Sequence, residues 1–503
     1  MILSNISDVT RRPLLAACSL AALLCGLVPG TSTAFTTGVD ESGVTNGTSA
    51  GAPWSDLIRG ANAKILRAQV PWDAVAPTEP ANPTDPNDPA YRWTRIDALA
   101  RTAEASGAEA LLNIYIAPTW AEGPNRPTTG FGTNLDEPPF RGSWDPDPQA
   151  LQDFATAIAT RYSGTTPDPH NIALQLPRIR YFEAWNEPNY KMFLTPQYEI
   201  VKGKRTLTLI DRYRRLLNAF YAGVKSVQPD ATVLSAGLGP YGVSSNGYEI
   251  QPQIFLRGLL CIARKSGRIF KAPCPTRANL DGVAHHPYTF MGTALTQAAD
   301  VDGAGLGDMP EMMKIVKFAV TNKTARPLGP KPVWVTEFGW LTNPPGRLIE
   351  GSRRSLGISP KQAGIYTSET VYRLWSWGVD TAIWYHLTDT DDWPGGMYFQ
   401  KTETDPATPK PSTRGFRFPL FALKSGGSVK VWAKSPCTGS GATINVEFAI
   451  RSRWQLATTL TPDDQGMINQ LIPLLPGVTS VRGVAASDSD CSDRSVAMPI
   501  YRK

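Results

Sequence analysis

The chain has 503 residues, 42% of them hydrophobic and 19% charged, which fits two folded units with a large core and confines disorder to the termini and a few loops. A formal net charge of +6 is small for this length, and scattered Lys and Arg leave no nucleic-acid footprint. Four His, with no Cys/His spacing of a metal site, give no reason to expect a metal or another cofactor.

Residues 1–34 read as an export signal. Arg11 and Arg12 supply positive charge, Pro13 to Leu27 is a short apolar stretch, and Ser32-Thr33-Ala34 offers small residues for cleavage. The stretch is too short and interrupted for a permanent anchor, so no stable membrane insertion is expected. Thr10 to Leu15 is similar to a twin-arginine signal without the usual aromatic, which leaves that route and the general secretory route both open. Leu15-Ala16-Ala17-Cys18 has the look of a lipidation site but follows the arginines too closely, so release is favoured over lipid anchoring. Removing the signal leaves Cys261, Cys274, Cys437 and Cys491. Of three possible pairings, Cys261–Cys274 with Cys437–Cys491 keeps each disulfide inside one expected domain.

From Phe35 to Leu420, apolar strands alternate with amphipathic helices. The expected strands are Phe35–Val39, Lys64–Val70, Ala110–Ile116, Ile179–Ala184, Thr232–Ala236, Leu280–His285, Val333–Glu337 and Thr381–Tyr385. Two intervening helices are marked clearly. Asp147 precedes Pro148 and a run of Leu151, Phe154, Ala155, Ile158, Ala159 and Tyr162; Ser359-Pro360 with Gln362 reads as a capping box closed by Gly378. Eight strand–helix units predict an α/β fold, a (β/α)8 TIM barrel over residues 35–420. The rival, a doubly wound open sheet, lacks its usual Gly-rich turn after a strand. Long loops follow strands three (Pro118–Asp147), six (Phe290–Asp308), seven (Trp340–Ser359) and eight (Thr388–Arg414), and walls around a cleft account for them better than idle insertion.

Residues 421–503 alternate apolar and polar positions in Val429–Ala433, Thr443–Ile450, Gln455–Leu460, Thr479–Ala486 and Val496–Tyr501. This predicts a small antiparallel β-sandwich stapled by Cys437 and Cys491. Its candidate exposed aromatics are few (Trp432, Trp454, Tyr501), which favours a buttress for the barrel over a ligand-binding module.

The chemistry concentrates in two segments. Tyr181-Phe182-Glu183-Ala184-Trp185-Asn186-Glu187-Pro188-Asn189 ends the fourth strand, and Val333-Trp334-Val335-Thr336-Glu337-Phe338-Gly339-Trp340 ends the seventh. Those strand ends face each other across a barrel, and two opposed carboxyls are what cleavage of a glycosidic bond requires, one protonated and one ionised. Trp185-Asn186-Glu187-Pro188 and Thr336-Glu337-Phe338-Gly339 together resemble the glycoside hydrolases of clan A, particularly families 39 and 5.

That resemblance implies Glu187 as general acid/base, Glu337 as nucleophile, and retention of configuration through carboxyls about 5–5.5 Å apart. It further implies that Arg67 hydrogen-bonds the nucleophile and that Asn186 binds the sugar 2-hydroxyl. A His and a Tyr are expected from Ala284-His285-His286-Pro287-Tyr288, with His286 and Tyr288 preferred over His285, and Trp384 is expected to floor the −1 subsite. Glu183, sharing parity with Glu187, is expected inward as a partner of Arg67. Trp120, like Trp72 and Trp340, can stack on sugars at outer subsites or simply pack. The expected substrate is a β-linked poly- or oligosaccharide cut by an endo-acting monomer. An exo-acting glycosidase, a transglycosylase, or a non-catalytic glycan-binding barrel are the alternatives, the last disfavoured because both carboxyls are kept.

Overall fold

Segments such as Ala110–Leu112 and Val333–Val335 carry no polar face, and the chain buries them as central parallel strands. The computed structural model describes residues 35–46, 52–128, 139–242, 249–290, 292–342, 357–390, 393–399 and 407–502; the expected export signal lies outside them, as do parts of three of the four long loops and one residue of the fourth. Among the described residues, eight parallel strands alternate with the eight barrel helices, and a short helical turn, Trp72–Val75, follows the second strand. The strands are β1 (Thr36–Asp40), β2 (Ile65–Pro71), β3 (Glu109–Tyr115), β4 (Tyr181–Asn186), β5 (Thr232–Gly237), β6 (Val283–His285), β7 (Val333–Phe338) and β8 (Thr381–Tyr385). Between and after them lie α1 (Ala52–Gly60), α2 (Thr94–Ser106), α3 (Pro148–Arg161), α4 (Leu209–Val227), α5 (Pro252–Leu259), α6 (Met309–Asn322), α7 (Pro360–Trp377) and α8 (Pro411–Arg417). The sheet runs β6-β7-β8-β1-β2-β3-β4-β5, all parallel. It closes on itself through the bridges Leu234–Gly282 and Leu238–His285, giving the expected (β/α)8 barrel rather than an open sheet.

Local signals act where they were read. The Asp147 carboxylate accepts the Gln149 N–H at 2.7 Å and starts α3; Ser359 Oγ accepts the Gln362 N–H at 3.2 Å, one arm of the expected box, and starts α7.

Inside the barrel the side chains form layers. Ile65, Leu111, Leu234, Ala284, Trp334 and Ile383 make an apolar plug near the strands' N-terminal ends. Two residues further along β2, Arg67 is buried and the lining becomes charged. Two backbone irregularities shape that upper layer. On β7, Val335 pairs with Ala382 but Phe338 with Trp384, so one extra residue is inserted around Thr336 and Glu337. At the end of β4, Trp185 takes a left-handed backbone (φ 78°), and so does Glu187 (φ 36°).

Beyond α8 come two antiparallel sheets. One joins β9 (Leu420–Ser425), β10 (Ser428–Lys434) and β13 (Met467–Pro473) in the order β9-β10-β13; the other joins β11 (Thr443–Ile450), β12 (Arg453–Leu460), β14 (Val478–Ala486), β15 (Ser492–Arg494) and β16 (Met498–Pro499) around β11 and β14. Gly483 of β14 lies so near Leu420 and Phe418 that a Cβ there would come within 2.8 Å of the Phe418 ring, which is how closely the sheets approach. β9, β13 and β15 were not expected from the sequence. Both anticipated disulfides form, Cys261–Cys274 and Cys437–Cys491.

Trp432, expected as an exposed aromatic, is fully buried. It meets Trp375 and Tyr372 of α7 at ring-centroid distances of 5.2 and 5.4 Å, while Phe421 stacks on Tyr372 at 4.1 Å and Tyr501 on Phe421 at 4.7 Å. Trp454 lies under the Arg482 guanidinium. Among the described residues, no helix is long and apolar enough to cross a membrane.

Candidate active site

Arg67, fully buried on β2, organises the C-terminal mouth of the barrel. Its Nε donates to Glu183 (2.6 Å), its Nη1 to Asp40 (2.6 Å) and Glu337 (2.8 Å), and its Nη2 to Asn186 (3.3 Å). Three carboxyls around one guanidinium cannot all ionise cheaply. Burial pushes Asp40 up to about 7, only partly offset by Arg67. Its Oδ1 has no hydrogen-bond partner among the described residues.

Glu337 is surrounded by donors. Besides Arg67, Gln69 Nε2 reaches Oε1 at 3.3 Å and the Tyr288 hydroxyl donates to Oε2 at 2.9 Å. Burial alone would raise its pKa, but the charges of His286 and Arg67, with the hydrogen bonds from Tyr288 and Arg67, hold it below the ordinary carboxylate value. Tyr288 remains a donor because burial and Glu337 push its hydroxyl well above the usual value.

Glu187 is held differently. Its left-handed backbone donates N–H to the Gly237 carbonyl at 3.0 Å, and the following turn is pinned by buried Asn189, whose amide bonds Gly239 and Ile250. Among the described residues, the carboxyl's hydrogen-bond partner is His286 Nδ1, at 2.9 Å. Burial is the main influence and, with the charge of Glu337, raises its pKa against the opposing pull of His286. One carboxylate oxygen of Glu187 and one of Glu337 lie within 4.8 Å of each other, with a His286 nitrogen inside the same limit. The Arg67 guanidinium already supplies positive charge to Glu337 at 2.8 Å.

The structure therefore brings together Arg67, Asn186, Glu187, His286, Tyr288 and Glu337. Glu183 is also inward, bonded by Arg67, Gly237 N–H and the Thr336 hydroxyl. His285 turns the other way, its Nε2 bonded to the Ala304 carbonyl at 2.7 Å, and burial holds its pKa down at about 3. That leaves His286 as the histidine of the site.

Trp384 is not brought to the carboxylates. On β8 it alternates with Ile383, which belongs to the interior plug. Its own ring is fully buried against Phe338, Trp340 and Phe416 of α8, with the indole N–H on the Gly395 carbonyl. Tyr385 takes the inward position instead. Tyr288, Tyr385 and Trp393 form an edge-to-face corner with centroids 5.3–6.1 Å apart. Trp120 is partly exposed, edge-on to Trp72 at 5.6 Å, its N–H on the Ala76 carbonyl. Trp72 is fully buried and stacked on Phe154, and Trp340 is fully buried, so both are packing residues here.

No protein-family model matches the chain, and no curated protein sequence matches it. Similar solved structures exist at low identity. A glucosidase from Croceicoccus marinus is 12% identical over 89% of this chain and 85% of that one, with a TM-score of 0.47. A monomeric beta-xylosidase from Caulobacter crescentus CB15 is 13% identical over 88% and 97%, at 0.46. A GH30 endoxylanase from Clostridium papyrosolvens C71 is 11% identical over 88% and 95%, at 0.44. Likeness this distant carries no weight for chemistry, which has to come from the mouth of the barrel itself.

Asp40, Gln69, Thr336, Tyr385 and Trp393 are additions to the residues expected from sequence. Asp40 had a legible signal: it pairs with Arg67 in register and ends β1 where its side chain must face inward. Tyr385 had the same kind of signal, two positions beyond Ile383.

Proposed function

We propose that the chain is a retaining glycoside hydrolase acting by double displacement on a β-linked poly- or oligosaccharide. The observation that carries this is the pairing of two carboxyls, within 4.8 Å oxygen to oxygen, whose surroundings push their proton affinities in opposite directions. Glu337, held ionised, attacks the anomeric carbon. Glu187, keeping its proton, gives it to the leaving oxygen and then removes one from the water that releases the sugar. The short separation matches retention; inversion needs roughly 6.5–9.5 Å for an intervening water.

Arg67 and Tyr288 keep the nucleophile aligned and charged, and Asn186 is placed to meet the hydroxyl next to the reacting carbon. The Tyr288–Tyr385–Trp393 corner takes the aromatic role that the family resemblance implies for Trp384. Two disulfides and an export-like leader support release into an oxidising compartment. We further read the sandwich as a buttress and the action as endo.

A panel of β-1,4- and β-1,3-glucans, mannan, xylan and galactan tests this, with proton NMR following the first anomer formed. Release of the β anomer is expected, and release of the α anomer would overturn double displacement. Longer oligosaccharide products would mark endo action, single sugars exo action. Tight binding without turnover would instead favour the non-catalytic reading.

A further inference from the structure

Thr336 lies between a histidine and a carboxylate. Its hydroxyl donates to Glu183 Oε1 at 3.0 Å and stands 3.1 Å from His286 Nε2. A hydroxyl has one proton to give and lone pairs to receive with. Glu183 already collects the Arg67 Nε–H and the Gly237 N–H, so it acts here as an acceptor. With its proton committed to Glu183, Thr336 can only accept from the imidazole. His286 Nε2 must then carry a hydrogen.

We propose that Thr336 and Glu183 act as positioning residues that fix a proton on Nε2 of His286, so that the mobile proton of the His286–Glu187 pair lies between Nδ1 and the carboxyl. The inference rests on the reading of Glu187 as acid/base. When Glu187 gives its proton to the leaving oxygen, the resulting carboxylate faces the Nδ1 lone pair, which raises its appetite for the proton of the incoming water. The proton therefore returns to the place it left, and the pair is reset after each cycle.

Among the described residues, the groups that bear on this balance are Glu183 from β4 and Glu187 just beyond it, Thr336 and Glu337 from β7, Arg67 from β2, and neighbouring His285, whose own charge burial suppresses. Glu337 Oε1 is 3.6 Å from Nε2 and Glu183 Oε1 is 4.0 Å, both beyond a hydrogen bond, whereas Thr336 is within one. Gly237 leaves room for the ring, since a Cβ there would fall 2.0 Å from Nε2. Glu187, once ionised, pulls the other way and favours a proton on Nδ1.

The competition can be read without substrate. Full-length protein labelled with [15N]histidine has four histidines, and His286→Gln assigns the signal. Above the pH at which the pair has released its shared proton, wild type and Thr336→Ser are expected to show His286 protonated on Nε2. Thr336→Val, which keeps the shape and loses the acceptor, is expected to move that proton to Nδ1. A wild-type His286 protonated on Nδ1, or a Thr336→Val spectrum unchanged from wild type, would overturn the proposal. Should Thr336→Val not fold, the wild-type and Thr336→Ser spectra still decide it. Absence of turnover on every glycan would remove the acid/base reading while leaving the tautomer result intact, so the two failures are separable.

Discussion

At the N-terminal end of the barrel, Ile65, Leu111, Leu234, Ala284, Trp334 and Ile383 fill the interior with apolar side chains, while two residues up the strands Arg67 is packed among Asp40, Glu183 and Glu337. β2 and β7 contribute to both layers, by plain alternation from Ile65 to Arg67 on β2 and across the inserted residue from Trp334 to Glu337 on β7. The lower layer gains stability from burial and excludes water from below. The upper layer spends part of that stability to hold charges where their proton affinities diverge. Catalysis and its pH dependence should therefore respond to substitutions in the upper layer and not to those in the lower, whereas stability draws on both.

The largest effect is expected at Glu337. Glu337→Gly should lower turnover about 10⁵-fold with little change in melting temperature, and azide or formate should partly restore cleavage of an activated 2,4-dinitrophenyl glycoside. No rescue would count against its role as nucleophile. Glu187→Ala comes next. Its loss should be about 10²–10⁴-fold on substrates with poor leaving groups and far smaller on the dinitrophenyl glycoside; equal losses on both would argue for mere misfolding of the loop.

Arg67→Met tests whether the upper layer depends on a single cation. It strands buried carboxyls and should cost about 3–5 kcal/mol in chemical denaturation. The pH profile carries a sign as well. Glu337 is held low, so activity is lost on the acid side only below the ordinary carboxylate range; Glu187 is held high, so the alkaline loss lies above it. Without Arg67 the acid limb should move to higher pH. Leu234→Ala, in the lower layer, should cost about 2–5 kcal/mol of stability and leave both limbs in place. A displaced limb there would show that the layers are not independent.

Much of this was legible because burial on both faces leaves so plain a trace. Each of the eight barrel strands overlaps an expected strand, most of them apolar runs, and Arg67 and Glu337 stand out as charges within such runs. What the periodicity does not encode are departures of the backbone from it. Glu183 and Glu187 both face the site, as shared parity predicts, yet the left-handed Trp185 intervenes and Asn186 is inward too, so parity was not the cause. The extra residue on β7 likewise turns both Thr336 and Glu337 inward, which is why Thr336 gave no signal of its own. Trp384 is expected at the site only through the family resemblance, whereas alternation along β8 puts Ile383 and Tyr385 in the inward positions on either side. β13 leaves little trace in the sequence because Ile468, Leu471 and Ile472 break alternation, with Leu471 exposed and Gln470 beside it.

The aromatic contact between α7 and the C-terminal sheets decides where this chain can be cut. A fragment ending at Pro419 would strip Phe421 and Trp432 from Tyr372 and Trp375, and would also sever the Ser368–Leu420 hydrogen bonds and the bond from Lys434 to the Phe35 carbonyl at the foot of β1. An excised barrel would carry a sticky aromatic face and a loosened first strand. A polypeptide that runs through Tyr501 keeps that face covered.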